Sequence, residues 1–286
     1  MGGASYCTPS SILTCDGKGA CMIGVAHIGE IRDGLLAVAL ALPRMLVCML
    51  LIPVFSSSTL NRTLRIAVAI GFTLPVSFGI AHSSLSVAGP VMIVALILKE
   101  AFVGLVLGTA LAAPFWAMDS VGAFIDIQRG ANTGQQLTPF SQQDASLIGS
   151  ALQQALIAFL AVTGGLSALY QLLLGSYAAW PVLVLIPDFS GLSIERMIDG
   201  FAELCRLSFL YAVPILAVLI LVDFCFALVG LFATQLQVYF AAMPVKSIVG
   251  IFVLLLYVGI LLEHGHQYFS RMIESQSTLF ENIVRR

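Results

Sequence analysis

Four ionisable side chains, Arg44, Lys99, Glu100 and Asp223, interrupt otherwise apolar runs of this chain. A charge near the centre of a bilayer costs roughly 2.5–3.5 kcal/mol on the insertion scale, so each is expected to face protein or water. Two kinds of chemistry fit such residues: fixed ion pairs that bridge helices, or an ion or proton path. A relay normally shows more intramembrane carboxylates or histidines, so the bridging reading is favoured. Lys99 and Glu100 are neighbours about 100° apart around a helix, which predicts poor mutual pairing and makes Asp223 the expected partner of Lys99.

The second chemical feature is a glutamine-rich polar stretch between Ala117 and Leu147, DSVGAFIDIQRGANTGQQLTPFSQQDAS. A connection of that length between apolar segments is more than a turn, so residues 118–146 are read as a loop that moves or gates. Hydrogen bonds among its Gln and Asn side chains exchange cheaply for water or for the backbone of a passing chain. His264 and His266 form an HxH at a helix end, read as interfacial solvation rather than a metal site. Cys48, Cys205 and Cys225 lie in or beside apolar runs and read as reduced packing residues. Cys7, Cys15 and Cys21 share a polar N-terminal segment with no CxxC pair and no His at ligand spacing. Zinc is therefore not assigned there, and a local disulfide stays open if that end faces an oxidising compartment. No HExxH, P-loop, GxSxG, Ser/Lys or paired-Asp pattern is found, so no catalytic residue, cofactor or metal is assigned and the chain is read as no enzyme.

The elements that must position these residues are set by composition. With 59% hydrophobic and 10% charged residues and a mean hydropathy of +1.00, the chain reads as an integral membrane protein. A net charge of −2 gives no footprint for nucleic acid. The start lacks a basic, apolar and small-residue leader, so the first apolar run is expected to target itself. That run, Leu35 to Phe55, contains 21 residues, enough for about 30 Å of hydrocarbon. Ile66–Ala81 follows with only 16 residues, then Val87 to Met118, then one long helix from Ala145 to about Leu174. A charged link from Asp188 to Glu203 leads to Leu207–Phe232, and a sixth run, Ser247–Leu262, is again 16 residues long. Six hydrophobic, partly broken helices result. Gly104 and Gly108 form a GxxxG that lets another backbone approach, and Gly164-Gly165 marks a kink or a close crossing. Phe269, Ile273, Phe280 and Ile283 recur at helical spacing, predicting an amphipathic C-terminal helix that docks on a partner or on the bilayer surface. Lys and Arg counts return no clear orientation, which together with the short runs points to helices shielded by protein neighbours.

Several blocks together resemble a known family. They are Lys99-Glu100-Ala101-Phe102-Val103-Gly104, Pro114-Phe115-Trp116, Ile125-Asp126-Ile127-Gln128-Arg129-Gly130-Ala131 with Pro139 and Ala145-Ser146, and Ser176-Tyr177 with Trp180-Pro181. The last is Gln235-Leu236-Gln237-Val238-Tyr239-Phe240-Ala241-Ala242-Met243-Pro244-Val245-Lys246-Ser247. They resemble the T subunit of the bacterial type III secretion export apparatus, a relative of flagellar FliR, over about residues 35–262. The resemblance implies an all-α export-gate subunit of the bacterial inner membrane. It would assemble with R-type and S-type subunits and with U-type switch and V-type export subunits, in contact with lipid and with unfolded secreted proteins in transit. It further implies helices largely above the membrane plane, and a plug contributed by the polar stretch, with Asp126, Gln128, Arg129, Gly130, Asn132, Gln135, Gln136 and Pro139 as its residues. Gln235, Gln237, Pro244 and Lys246 form a subunit-contact corner in that reading, while Arg44, Lys99, Glu100 and Asp223 are buried charges or helix contacts.

The organisation expected is thus a polar segment 1–33, a helical export-gate domain 34–263 with its plug loop 118–146, and an amphipathic tail 264–286. The cysteine-bearing N-terminus lies outside the family pattern, which makes Met22 a candidate start. The rival is a secondary transporter of a small solute, with Lys99, Glu100 and Asp223 as its site.

Overall fold

The computed structural model describes residues 19–55, 61–81, 89–130, 146–184, 194–232 and 238–284. Seven α-helices run along them: α1 (Gly19–Leu51), α2 (Arg62–Ala81), α3 (Pro90–Arg129), α4 (Leu147–Val162), α5 (Gly165–Ala179), α6 (Ile194–Phe232) and α7 (Val238–Val284). Among the described residues there is no strand, so the protein is all-α.

The bundle is organised around α3. Its residues Leu96, Val103, Leu107, Leu111, Phe115, Met118, Val121 and Ile125 recur at steps of three, four or seven and are all buried, which is the stripe a core helix needs. One side packs on α1, and α4, α6 and α7 pack on the others, while α2 lies on α1 and α5 on α7. Between apolar helices in an apolar surrounding the hydrophobic effect supplies little drive. Close backbone approach and polar contacts then decide which helices meet. Gly104 shows the first of these: a Cβ there would sit 2.6 Å from the Arg44 carbonyl oxygen, so α1 and α3 cross with backbone against backbone. At Gly108 the nearest neighbours are the Leu51 side chain and the Cys48 Cα, so both glycines of the GxxxG face α1.

Among the described residues four helices are long and apolar enough to cross a membrane, and the α4–α5 pair brings the number to as many as five. With 40 and 47 residues, α3 and α7 are roughly 60 and 70 Å long, about twice the hydrocarbon thickness. Large apolar side chains stay exposed in quantity, among them Phe209, Leu221, Phe224 and Phe232 on α6 and Ile248, Phe252, Leu255 and Leu256 on α7.

The helices depart from the sequence expectation in several places. Residues 118–129, expected as the start of a loop, continue α3, because the buried stripe through Met118, Val121 and Ile125 persists at helical spacing, with Asp126 buried beside it. The expected single helix up to Leu174 breaks at Gly164, whose φ of 80° is a left-handed conformation suited to glycine, and α4 and α5 meet at 82°. The glycine pair thus marks a kink. The charged link after Asp188 becomes helical at Ile194, and α1 starts at Gly19, well ahead of Leu35. The sixth apolar run and the tail are one continuous helix, α7, and the tail docks on its own chain. Phe269 packs edge-on against Phe115 at 6.0 Å, and Phe280 against Trp180 at 5.4 Å. Cys48 is buried as expected, whereas Cys205 and Cys225 are exposed on α6.

Candidate functional site

The polar side chains gather into two knots, one fully enclosed and one at the mouth of the 131–145 connection. The enclosed knot centres on Arg44 in α1, 1% exposed, and Glu100 in α3, with no exposed surface. The guanidinium grips the carboxylate with two contacts, Nε to Oε2 at 2.7 Å and Nη2 to Oε1 at 2.9 Å, the geometry in which arginine pairs most strongly. Its remaining donors go to the Ser176 carbonyl and the Trp180 carbonyl, each at 2.9 Å, and the group stacks 4.2 Å from the Tyr177 ring centre. Tyr177 in turn donates to the Ala41 carbonyl at 2.9 Å. Lys99 completes the set, 2.6 Å from Glu100 Oε1 and donating to the carbonyls of Pro181, Val182 and Val184 at 3.0–3.1 Å.

This corrects the expected pairing of Lys99 with Asp223. The flexible four-carbon lysine stem reaches round the helix to its neighbour's carboxylate, which the 100° separation of the two Cα positions does not prevent. Arg44, Glu100 and Lys99 join α1, α3 and the end of α5 at one enclosed point.

The second knot is built where α3 ends and α4 begins. Gly130 closes α3 with a φ of 78° and donates its N–H to the Asp126 and Ile127 carbonyls. Ser146 caps α4, its Oγ accepting from the Gly149 N–H at 2.8 Å. Asp126, 1% exposed, ties these ends together. Its Oδ2 accepts from Ser146 Oγ at 2.5 Å and from the Ile148 N–H at 3.0 Å, and its Oδ1 pairs with Arg129 at 2.6 Å. Above the tie α3 and α4 touch through glycine, since a Cβ on Gly122 would lie 2.2 Å from the Gly149 nitrogen. On the other side of α3, Gln128 Nε2 donates to Asp223 Oδ2 at 3.0 Å, and Lys246 lies 2.5 Å from Asp223 Oδ1 while donating to the Gln128 carbonyl at 3.1 Å.

The structure thus places Asp126, Gln128 and Arg129 on the last turn of a helix rather than in a loop, with Gly130 as its cap. It brings Gln128, Asp223 and Lys246 together, and it puts Pro244 inside α7. Asn132, Gln135, Gln136, Pro139, Gln235 and Gln237 lie outside the described residues. His264 and His266 face different aromatic rings, Tyr211 on α6 and Phe159 on α4. Among the described residues no three His, Cys, Asp or Glu side chains converge as metal ligands. Sequence reasoning passed over Gly122, Gly149 and the capping role of Ser146. The last was findable, because a serine immediately before the run LIGSALQQALIAFLAV is an N-cap signature.

Ser146→Ala removes an acceptor for Gly149 and a donor to Asp126 together. It is expected to cost about 1–2 kcal/mol, read as a lower melting temperature of the purified complex. An unchanged melting curve would show that the cap contributes nothing.

Comparison with known proteins sets this geometry in context. The family model described as bacterial export proteins, family 1, matches residues 35–272. The chain is similar to Yop proteins translocation protein T of Yersinia pestis, 31% identical over 236 residues, covering 82% of this chain and 90% of that one. Secretion system apparatus protein SsaT of Salmonella typhimurium is 27% identical over 241 residues, covering 82% and 92%. Flagellar biosynthetic protein FliR of Bacillus subtilis is 26% identical over 185 residues, covering 63% and 70%.

Proposed function

We propose, from the premise that this chain belongs to the bacterial export proteins of family 1, that it is a core subunit of the inner-membrane export gate of a type III protein secretion system. At the coarser level it is a multi-pass membrane component of a secretion apparatus. In the finer reading it helps form the channel for unfolded proteins, and the connection 131–145 obstructs that channel.

One observation carries the obstruction reading. Fifteen residues, ANTGQQLTPFSQQDA, join Gly130 to Ser146 in the sequence, and the helix ends on either side are fastened to each other through Asp126. A polar connection with anchored ends and exchangeable amide side chains suits a stopper that yields to a passing chain and reseals. The apolar surfaces of α6 and α7 suit burial against R-type and S-type subunits, with U-type and V-type subunits as further neighbours. The chemistry is obstruction and passage, without bond making. The solute-transporter alternative needs ionisable groups available to a substrate. Lys99 and Glu100 are consumed by Arg44 and by carbonyls, and Asp223 by Lys246 and Gln128.

Deletion of residues 132–138 leaves both roots in place. The shortened chain is expected to co-purify with its partner subunits at the normal level while the membrane becomes permeable to small solutes. Normal conductance in a fully assembled deletion complex would defeat the obstruction reading.

A further inference from the structure

We propose that Asp223 and Lys246 are positioning residues that hold the end of α3 in register against α6 and α7. The three contacts among Gln128, Asp223 and Lys246 close a ring through all three helices. The Gln128 carbonyl belongs to the last turn of α3, where carbonyls lack a helical partner, and an ammonium there also meets the negative end of the helix dipole.

The surroundings make this ring the element that sets register. Ile125 on α3, Leu219 on α6 and the partly buried Val253 and Leu254 on α7 belong to one apolar core, so the packing between these helices around the ring is apolar. Apolar helix faces shift past one another at little cost, because one set of dispersion contacts resembles the next. A charged pair has one good geometry, and its best-attested use in apolar interfaces is to fix register.

The ring is also the more easily released of the two knots. Glu100 has no exposed surface, so opening its pair strands charge inside the bundle. Asp223 keeps 39% of its side chain outside the packing of this chain, so parting it from Lys246 does not open the core. The end of α3 can therefore part from α6 and α7 while its tie to α4 through Asp126 and the joint of α1, α3 and α5 stay fastened. For its consequence in export, though not for the tie itself, this inference rests on the obstruction reading above.

The test uses the assembled complex with two readouts. Hydrogen exchange of amides 124–130 reports the tie, and small-solute leakage reports its consequence. Lys246→Met keeps the stem but not the charge. It is expected to raise exchange at 124–130 about tenfold or more, with residues 165–179 unchanged, and to increase leakage. Lys246→Arg keeps charge and donors and is expected to restore the native exchange rate. Native exchange in Lys246→Met, or failure of Lys246→Arg to restore it, overturns the proposal. Raised exchange without leakage upholds the tie and counts against the obstruction reading instead. Should Lys246→Met not assemble, Gln128→Met removes only the amide donor to Asp223 and carries the same test. Exchange several times faster supports the tie, and unchanged exchange refutes it.

Discussion

Glu100→Ala is expected to remove the chain from its complex. Arg44 would be left 1% exposed without a counter-charge, and Lys99 would lose the same carboxylate. Stranding one member of a buried pair costs about 3–5 kcal/mol, a large share of the roughly 5–15 kcal/mol that stabilises a typical domain. The measurement is the amount of chain in membranes by immunoblot, with the melting temperature of whatever purifies. Replacing both partners, Arg44→Met with Glu100→Met, should recover part of the loss, because paired removal leaves no orphan charge. The recovery stays incomplete, since the Ser176 and Trp180 carbonyls then lose their donor. Wild-type abundance and melting in Glu100→Ala would mean that Arg44 finds water the fold does not show.

The second large effect concerns a methyl group. Gly122→Ala would put a carbon 2.2 Å from the nitrogen and 2.3 Å from the Cα of Gly149. These are backbone atoms with no rotamer to relieve them, so α3 and α4 must part by more than an ångström. Overpacking of this kind costs at or above the upper end of about 1–3 kcal/mol. It also separates Asp126 from Ser146, so loss of assembly and of secretion is expected together. Gly71→Ala is the control, because a Cβ there meets no atom within 4 Å. Removing the flexibility of a mid-helix glycine stabilises by roughly 0.5–1 kcal/mol. Equal secretion by the two variants would mean that the α3–α4 crossing is looser than its geometry.

Much of this architecture was legible from residue types alone. Composition declared a membrane chain, the apolar runs read as helices, the Gly164-Gly165 pair marked a bend, and the four charges within the apolar runs were expected to bridge helices. Their pairing was not legible, because reach depends on side-chain stems and helix crossings that no spacing rule encodes. Lys99 found its own neighbour, and Asp223 found Lys246. The end of α3 was misplaced for another reason. Asp119, Ser120, Asp126, Gln128 and Arg129 lower the local hydropathy, although Met118, Val121 and Ile125 keep the helical beat beneath them. The tail misled similarly, since an amphipathic face at Phe269 and Phe280 says that something covers it but not that the cover is the same chain. The glycines at 122 and 149 carried no signal, because neither sits in a spaced motif and each matters only through the other.

The bare flanks of α6 and α7, with Phe224, Phe232, Phe252 and Leu256 facing outward, bear on how a cell must make this protein. A copy released without companions presents the sort of surface that chaperones hold and that proteases of the quality-control system clear.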